Sequence, residues 1–203
     1  MHPWKDREKK PMAIKSRLAG ALLLIIMLSV GMSAGYAADP IPGEPTMTLK
    51  LSSTAFSHNG DIPKRYTCDD ADLSPPLGWS DLPAGTQSLA LIVDDPDAPD
   101  PAAPQMTWVH WVLYNIPPTA AGLAEGIKSK DLPAGTREGM NDWKRTGYGG
   151  PCPPKGRHRY FHKLYALDGL LPDLGKATKA KLEEAMKGHI LGQAELIGTY
   201  QRR

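Results

Sequence analysis

The second part of the chain has the hydrophobic and polar pattern of a strand-rich domain. Residues 47–52 alternate apolar and polar side chains, as a half-buried strand does. Residues 88–93 form a continuous apolar run, which predicts a strand buried on both faces. Residues 107–116 and 159–167 predict two further strands, and residues 194–200 predict a last one.

Turn and helix signals separate these strands. The Asn-Gly pair within residues 58–61 tolerates the positive φ of a tight hairpin turn, and prolines keep residues 73–79 extended. Residues 178–187 predict the one clear helix, which Thr178 caps and Gly188 ends. The predicted fold class is therefore mainly β, with two packed antiparallel sheets and one or two short helices.

Residues 1–37 have the pattern of a secretory signal peptide. Six basic residues precede an apolar run of 13 residues at 18–30, and Gly35 and Ala37 supply the small residues of a cleavage site. A membrane anchor is the alternative, but a spanning helix needs about 20 apolar residues. We therefore expect cleavage near Ala37 and a periplasmic or secreted mature protein.

Removal of the signal peptide changes the charge of the chain. The whole sequence has 24 basic and 22 acidic residues, a net charge of +2. Residues 1–37 hold 6 of the basic and 2 of the acidic residues, so the remainder has 18 and 20 and a net charge of −2. No basic face of a nucleic-acid-binding protein is visible, so no nucleic-acid partner is expected. Residues 38–46 are predicted to be a linker and residues 47–203 a single domain.

The two cysteines, Cys68 and Cys152, are expected to meet an oxidising compartment after export. The sequence favours a disulfide between them, and two separate thiols are the alternative. No CxxC spacing occurs, and zinc is not expected. The acidic turn at 69–72 lacks the later glutamate of a calcium loop. No metal and no cofactor are therefore predicted.

Candidate chemistry is concentrated in three segments, residues 94–99, 108–111 and 149–160. Each lies at the end of, or inside, a predicted strand and combines acidic, imidazole or phenol groups with rigid Pro and Gly backbone. Imidazole and tyrosine groups donate hydrogen bonds to anionic oxygens, and an aspartate can fix the tautomer of a neighbouring histidine. The combination predicts a small pocket for a phosphorylated or acetate-like head group.

Strand periodicity assigns these side chains to faces. Alternation places four residues on one face of the 107–116 strand: Trp108, His110, Val112 and Tyr114. His158 and Tyr160 share a face of the following strand, so they are expected to look into one cavity. Taken singly, a histidine on an apolar strand is more often a core residue, and Asp-Pro-Asp is usually a turn. Only the combination therefore predicts a site.

In these segments the chain resembles the phosphatidylethanolamine-binding protein family, also called Raf kinase inhibitor proteins, and in particular its bacterial branch. The bacterial motifs are Tyr66-Thr67-Cys68-Asp69, Leu73-Ser74-Pro75-Pro76-Leu77-Gly78-Trp79, Gly147-Tyr148-Gly149-Gly150-Pro151 and residues 189–200. The resemblance covers about residues 47–200 and implies two packed antiparallel sheets with an anion pocket.

The resemblance also implies which residues form the pocket. They are Asp95, Asp97, Pro99, Trp108, His110, Gly150, Pro153, His158 and Tyr160. Cys152 is an insertion into the Gly/Pro loop relative to the animal proteins, so the rim of the pocket is expected to differ from theirs. Kinase inhibition is not transferred, because an exported protein would not meet a cytosolic kinase.

These observations favour a binding protein for a small anionic ligand (phosphate, phosphoethanolamine or an acetate-like group) over an enzyme. Two alternatives stay open: an inhibitor of a protease or kinase that acts through surface loops on a protein partner, and a weak hydrolase that uses an Asp–His pair. The sequence has no Gly-x-Ser-x-Gly elbow. Cationic imidazoles would make affinity rise as pH falls through about 6.5, whereas neutral donors would not. A homodimer is an open alternative to a monomer.

Overall fold

The structure is a computed structural model that describes residues 48–202. The predicted signal peptide and linker, residues 1–37 and 38–46, lie outside the described residues. The strands are β1 Lys50–Ser52, β2 Gly60–Asp61, β3 Leu77–Ser80, β4 Ser88–Asp95, β5 Trp108–Ile116, β6 Gly122–Leu123, β7 Arg137–Glu138, β8 His158–Leu167 and β9 Ile190–Tyr200. The helix α1 spans Lys179–Met186, and short 3-10 turns cover Lys64–Tyr66 and Ser129–Asp131.

The strands form two sheets. One has the order β1-β3-β6, and the other has the order β2-β9-β8-β4-β5-β7. All neighbours are antiparallel except β2 and β9, which are parallel. The predicted turn is present, with Asn59 at φ 64°, but the strand that follows it joins the distant β9 instead of closing a hairpin. The mainly β, two-sheet fold predicted from the sequence is confirmed.

Two hydrophobic layers hold the large sheet in place. Leu89, Leu91 and Val93 of β4 pack in the core shared with the small sheet. Ala90 and Ile92, which alternate with them, pack in the core under α1. The prediction that this strand is buried on both faces is therefore confirmed. Burial of each large apolar side chain contributes about 1.5–3 kcal/mol to folding.

The helix α1 follows the predicted signals. The Thr178 side chain caps it by accepting a hydrogen bond from the backbone N–H of Lys181 at 3.3 Å. Leu182 and Met186 are fully buried against the large sheet. Gly188 adopts φ 79°, a conformation that favours glycine and ends the helix. No helix in residues 48–202 is long and apolar enough to cross a membrane.

A bulge in β5 determines where the predicted site residues point. The register of β5 on β4 shifts at His110, which falls between two paired positions. Such an extra residue interrupts the alternation of side chains. Val109 packs with Val112 and Tyr114 under α1, whereas the His110 ring contacts Tyr160 at 5.2 Å. The predicted common face of Trp108, His110, Val112 and Tyr114 is therefore wrong beyond His110.

The loops that follow β4 and precede β8 lie next to each other at this end of the large sheet. These loops cover residues 96–107 and 139–157. The strand ends that border these loops, those of β4, β5 and β8, belong to adjacent inner strands of the large sheet. Strands in the centre of a sheet are held on both edges, so they are rigid supports for site residues.

Candidate ligand-binding site

A cavity of about 340 Å³ opens where the end of β4, the start of β5 and the start of β8 meet the two loops. Its lining consists of Asp95, Ala98, Pro99, Gln105, Met106, Trp108, His110, Trp143, Cys152, Pro153, Pro154 and His158. Six of the nine sequence-predicted site residues are among them: Asp95, Pro99, Trp108, His110, Pro153 and His158. The structure thus brings residues from distant parts of the chain to one place.

The last two residues of β4 face opposite sides of the sheet. Asp94 is fully buried and accepts hydrogen bonds from Lys163 at 2.9 Å and from Lys179 at 2.5 Å. Asp95 lines the cavity and its Oδ2 lies 2.7 Å from Nδ1 of His158. Strand alternation accordingly gives the first carboxylate a structural role and brings the second to the cavity.

His158 has an acceptor on each side of its ring. Nδ1 faces the Asp95 carboxylate, and Nε2 lies 3.0 Å from the carbonyl oxygen of Lys155. A carbonyl oxygen only accepts, so Nε2 carries a proton and donates. The second proton then lies between Nδ1 and Asp95, and the two residues together carry no net charge. Burial raises the pKa of Asp95, and the hydrogen bond from His158 offsets part of that effect.

His110 is a neutral hydrogen-bond acceptor at its free nitrogen. Nδ1 donates to the carbonyl oxygen of Gly149 at 2.7 Å, which leaves the lone pair on Nε2. Burial lowers the pKa of His110 to about 4, so the ring is uncharged near pH 7. Nε2 is buried and has no hydrogen-bond partner in the described part of the chain. The geometry thus favours the neutral alternative for this imidazole.

Tyr160 lies behind the cavity wall and does not line the cavity. Its ring meets the edge of His110 at 5.2 Å and stacks on His158 with centroids 6.4 Å apart. Burial raises the pKa of its hydroxyl far above the ordinary value. Tyr160 therefore supports the two imidazoles from behind, and ligand contact by Tyr160 stays a prediction from the sequence.

Asp97 and Gly150 form hydrogen bonds with other parts of the chain and lie outside the cavity lining. Asp97 accepts from the Arg159 guanidinium at 2.9 and 2.6 Å, and these hydrogen bonds lower the pKa of Asp97. The N–H of Gly150 donates to Asp72 at 2.7 Å, and a Cβ at Gly150 would lie 2.4 Å from the carbonyl oxygen of Tyr66. Both residues anchor loops and neither lines the cavity.

Trp143 is a cavity residue that sequence reasoning missed. Its ring lies edge-on to Trp108 at 5.4 Å and to His110 at 5.1 Å, while 38% of the residue stays exposed. Met106, on the other loop, is 53% exposed and also lines the cavity. Both residues stand in loops, where no periodicity points to a face. The one available signal was a large aromatic residue in a polar turn, which needs a packing partner.

The disulfide forms part of the cavity wall. Cys68 and Cys152 are bonded, with Cα atoms 5.4 Å apart. The N–H of Cys68 also donates to the carbonyl oxygen of Pro151 at 3.1 Å. Pro151, Pro153 and Pro154 have no N–H, so this wall depends on contacts with the 66–72 segment. No group of three or more His, Cys, Asp or Glu side chains in residues 48–202 could hold a metal ion.

Comparison with known proteins identifies the family. The family model described as phosphatidylethanolamine-binding protein matches residues 52–201. The chain belongs to the phosphatidylethanolamine-binding protein family. It is also similar to a UPF0098 protein of Methanothermobacter thermautotrophicus, with 50% identity over 155 residues that cover 76% of this chain and 99% of the relative.

Two solved structures share the fold. A phosphatidylethanolamine-binding protein homolog from Chlamydia trachomatis is 43% identical with a TM-score of 0.71, and the match covers 78% of this chain and 100% of the homolog. E. coli YbcL, described as a new member of the mammalian family, is 30% identical with a TM-score of 0.69. That match covers 76% of this chain and 99% of YbcL. Both relatives support the bacterial branch predicted from the motifs.

Proposed function

We propose that this protein binds a small oxyanionic group of the phosphate, phosphoethanolamine or acetate type. The observation that carries the proposal is the convergence of Asp95, His158, His110 and Trp108 on one cavity. Apolar walls with a few polar groups at one end are typical of small-molecule sites. The ligand would place its polar group against these four side chains and its remainder against the prolines and Trp143.

Hydrogen bonding, and not bulk positive charge, is the proposed source of affinity. The cavity lining includes no Lys or Arg, and the Asp95–His158 pair carries no net charge. Trp108 offers an indole N–H that is buried and has no partner among the described residues. Such a donor is stronger in a site that excludes water than on the surface.

The hydrolase alternative has weaker support. Nε2 of His158 is engaged by the carbonyl oxygen of Lys155, so it is not free to activate a nucleophile. The lining residues include no Ser or Thr, and Cys152 is in a disulfide. A hydrolase built on this cavity would need water activated by His110, whose lowered pKa of about 4 makes it a weak base. Turnover of phenyl phosphate or phenyl acetate that is lost in His110→Phe would favour this alternative.

We also propose that the protein is exported. The basic and apolar pattern of residues 1–37 supports export, and so does the disulfide, because disulfides persist in oxidising compartments. Mass spectrometry of the mature chain from a periplasmic fraction would test it, with cleavage near Ala37 as the expected result. A cytoplasmic chain that retains residues 1–37 would contradict it. A protein partner and a homodimer stay predictions from the sequence.

Titration calorimetry with inorganic phosphate and with phosphoethanolamine tests ligand binding. We expect saturable binding by the wild-type protein, and at least about tenfold weaker binding by His110→Phe, because the phenyl ring cannot replace the imidazole hydrogen bonds. His189→Phe is the matched control, because His189 is exposed and lies outside the cavity lining. A folded wild-type protein that binds neither ligand at millimolar concentration would overturn the proposal.

A further inference from the structure

Two ring nitrogens of the cavity wall are buried without hydrogen-bond partners in the described part of the chain. They are Nε1 of Trp108 and Nε2 of His110. The indole Nε1–H can only donate. The neutral His110 ring holds its proton on Nδ1, which donates to the Gly149 carbonyl oxygen at 2.7 Å, so its Nε2 can only accept. One orphaned donor and one orphaned acceptor therefore belong to neighbouring wall residues.

These two rings belong to one wall. Trp108 and His110 stand two positions apart in β5, both line the cavity, and the Trp143 ring contacts both, at 5.4 and 5.1 Å. Buried polar atoms are hydrogen-bonded in about nine cases of ten, and an unpaired one is unfavourable because it has lost its hydrogen bonds to water. A ligand that pairs both nitrogens would remove this cost.

We infer that the cavity selects a protonated oxyacid: one ligand oxygen accepts from the Trp108 indole, and a ligand hydroxyl donates to Nε2 of His110. A phosphomonoester monoanion carries both groups. A sulfate ester of the same shape and charge has no proton to donate, and neither has a phosphodiester. This inference rests on the proposed function and specifies the protonation state and ester class of its ligand.

The charges around His110 favour a monoanion over a dianion. Six ionisable groups face this ring or lie close to it: the buried His162 and Tyr160 of β8, Asp95 and His158 in the same cavity lining, Asp94, and Asp142. Asp94 is held by Lys163 and Lys179, and Asp142 lies 3.8 Å from Lys144. Because the lining includes no Lys or Arg, nothing there compensates a second negative charge.

The apolar residues at the rim of the cavity indicate that the ligand carries an apolar group on its phosphate ester. The cavity of about 340 Å³ is larger than one phosphate group fills, and the exposed Trp143 and Met106 stand at its lining next to Pro99 and Pro154. An aromatic ligand ring would stack on Trp143 at low cost in conformational freedom. Phenyl phosphate is therefore the probe that matches both the wall and the rim.

Calorimetry with phenyl phosphate and phenyl sulfate on the wild-type protein tests the inference without any substitution. At about pH 5 both probes are monoanions, because the second pKa of a phosphomonoester is about 6. We expect phenyl phosphate to bind at least about tenfold more tightly, since a site built to accept a proton rejects an analogue that lacks it. We also expect its affinity to fall as the pH rises to about 8 and the hydroxyl is lost.

Phenyl sulfate keeps one charge over this range, so any change in its affinity reports the protein and not the ligand. Equal affinity for the two probes, or phenyl phosphate binding that tightens with rising pH, would overturn the inference and leave the proposed function intact. Failure of both probes and of inorganic phosphate to bind the folded protein would overturn both. Glycerophosphoethanolamine, a diester, should bind more weakly than phosphoethanolamine, its monoester counterpart.

Two further measurements test which residues cause the preference for phenyl phosphate. In the wild-type protein, a long-range proton–nitrogen NMR spectrum should show His110 protonated at Nδ1 only, and phenyl phosphate should shift its Nε2 resonance. A proton on Nε2 in the free protein would contradict the assignment. Trp143→Ala should weaken phenyl phosphate but not methyl phosphate, whereas Leu170→Ala, at an exposed apolar residue outside the cavity lining, should change neither.

Discussion

Two aspartates two residues apart have opposite roles because their neighbours differ. Burial raises the pKa of Asp95, which shares a proton with His158 at the cavity. Hydrogen bonds from Arg159 lower the pKa of Asp97 and tie the loop to the start of β8. The Asp-Pro-Asp motif could not separate the two, because both partners lie on β8, more than 60 residues away.

Asparagine substitutions should separate the two roles. Asp95→Asn leaves the buried His158 without its charge partner, so we expect a loss of about 3 kcal/mol in unfolding free energy and no phosphate binding. Asp97→Asn removes a pair whose arginine is exposed, so we expect a loss below about 1 kcal/mol and binding within about threefold of wild type. Urea unfolding and calorimetry measure both. Equal loss of binding in the two variants would contradict the assignment.

Two buried histidines should make folding sensitive to acid. Burial lowers the pKa of His110 and of His162 from 6.5 to about 4. As pH falls below about 6.5 the unfolded chain takes up these protons before the folded protein does, so stability present above that pH is lost towards pH 4, by about 3 kcal/mol for each histidine.

Urea unfolding of wild type and His162→Phe between about pH 4 and pH 7 tests this linkage. His162 already packs against Phe56 at 5.4 Å, so a phenyl ring suits its surroundings. The variant should lose about half of the acid slope that the two histidines cause. His189→Phe, at an exposed position, should keep the full slope. A His162→Phe protein with an unchanged slope would contradict the account.

At the scale of elements, hydrophobic periodicity predicted the long strands and the helix. It missed the short strands and the bulge, which depend on pairing with other strands. The run that became β4 is buried throughout, and those that became β8 and α1 bury apolar residues at regular intervals, so their own sequence is informative. The two-residue strands β2, β6 and β7 exist only through their neighbours. The bulge at His110 likewise depends on the register with β4, which no single-strand pattern contains.

Truncation of a buried residue in α1 should separate stability from binding. Leu182 is fully buried in the core under α1, whereas the cavity lies at the ends of β4, β5 and β8. Leu182→Ala should cost about 2–5 kcal/mol in unfolding free energy and leave phosphate affinity of the folded protein unchanged. Glu184→Ala, at an exposed helix position, should cost less than about 0.5 kcal/mol. Loss of affinity in Leu182→Ala at full folding would contradict this separation.

At the scale of the whole molecule, the disulfide joins the cavity wall to a segment 84 residues earlier in the chain. Loop-closure entropy over that separation gives a stabilisation of about 4–5 kcal/mol. Cys68→Ser/Cys152→Ser should lose an amount of that order and should bind phosphate more weakly, because its Pro-rich wall is less constrained. A dithiol reductant should reproduce both effects in wild type and change nothing in the double variant. Unaltered phosphate affinity after complete reduction of the disulfide would contradict its proposed role in constraining the cavity wall.

The residues of the candidate site that lie on strands could be predicted from the sequence. Those that lie in loops could not. Asp95, Trp108, His110 and His158 stand at strand ends, and the structure brings them to one cavity. Trp143 and Met106 stand in loops whose course depends on the disulfide, on the Arg159–Asp97 pair and on the Lys155–Asp100 ion pair. Tyr160 lies on β8 as expected, but its ring packs behind His158 and does not line the cavity.

Amide chemical-shift mapping with inorganic phosphate tests the central claim most directly. We predict saturable shifts in the isotope-labelled protein at Asp95, Trp108, His110, Cys152 and His158, with α1 unaffected. A folded protein that shows no shifts at millimolar phosphate would contradict the account. So would saturable shifts confined to another face of the molecule.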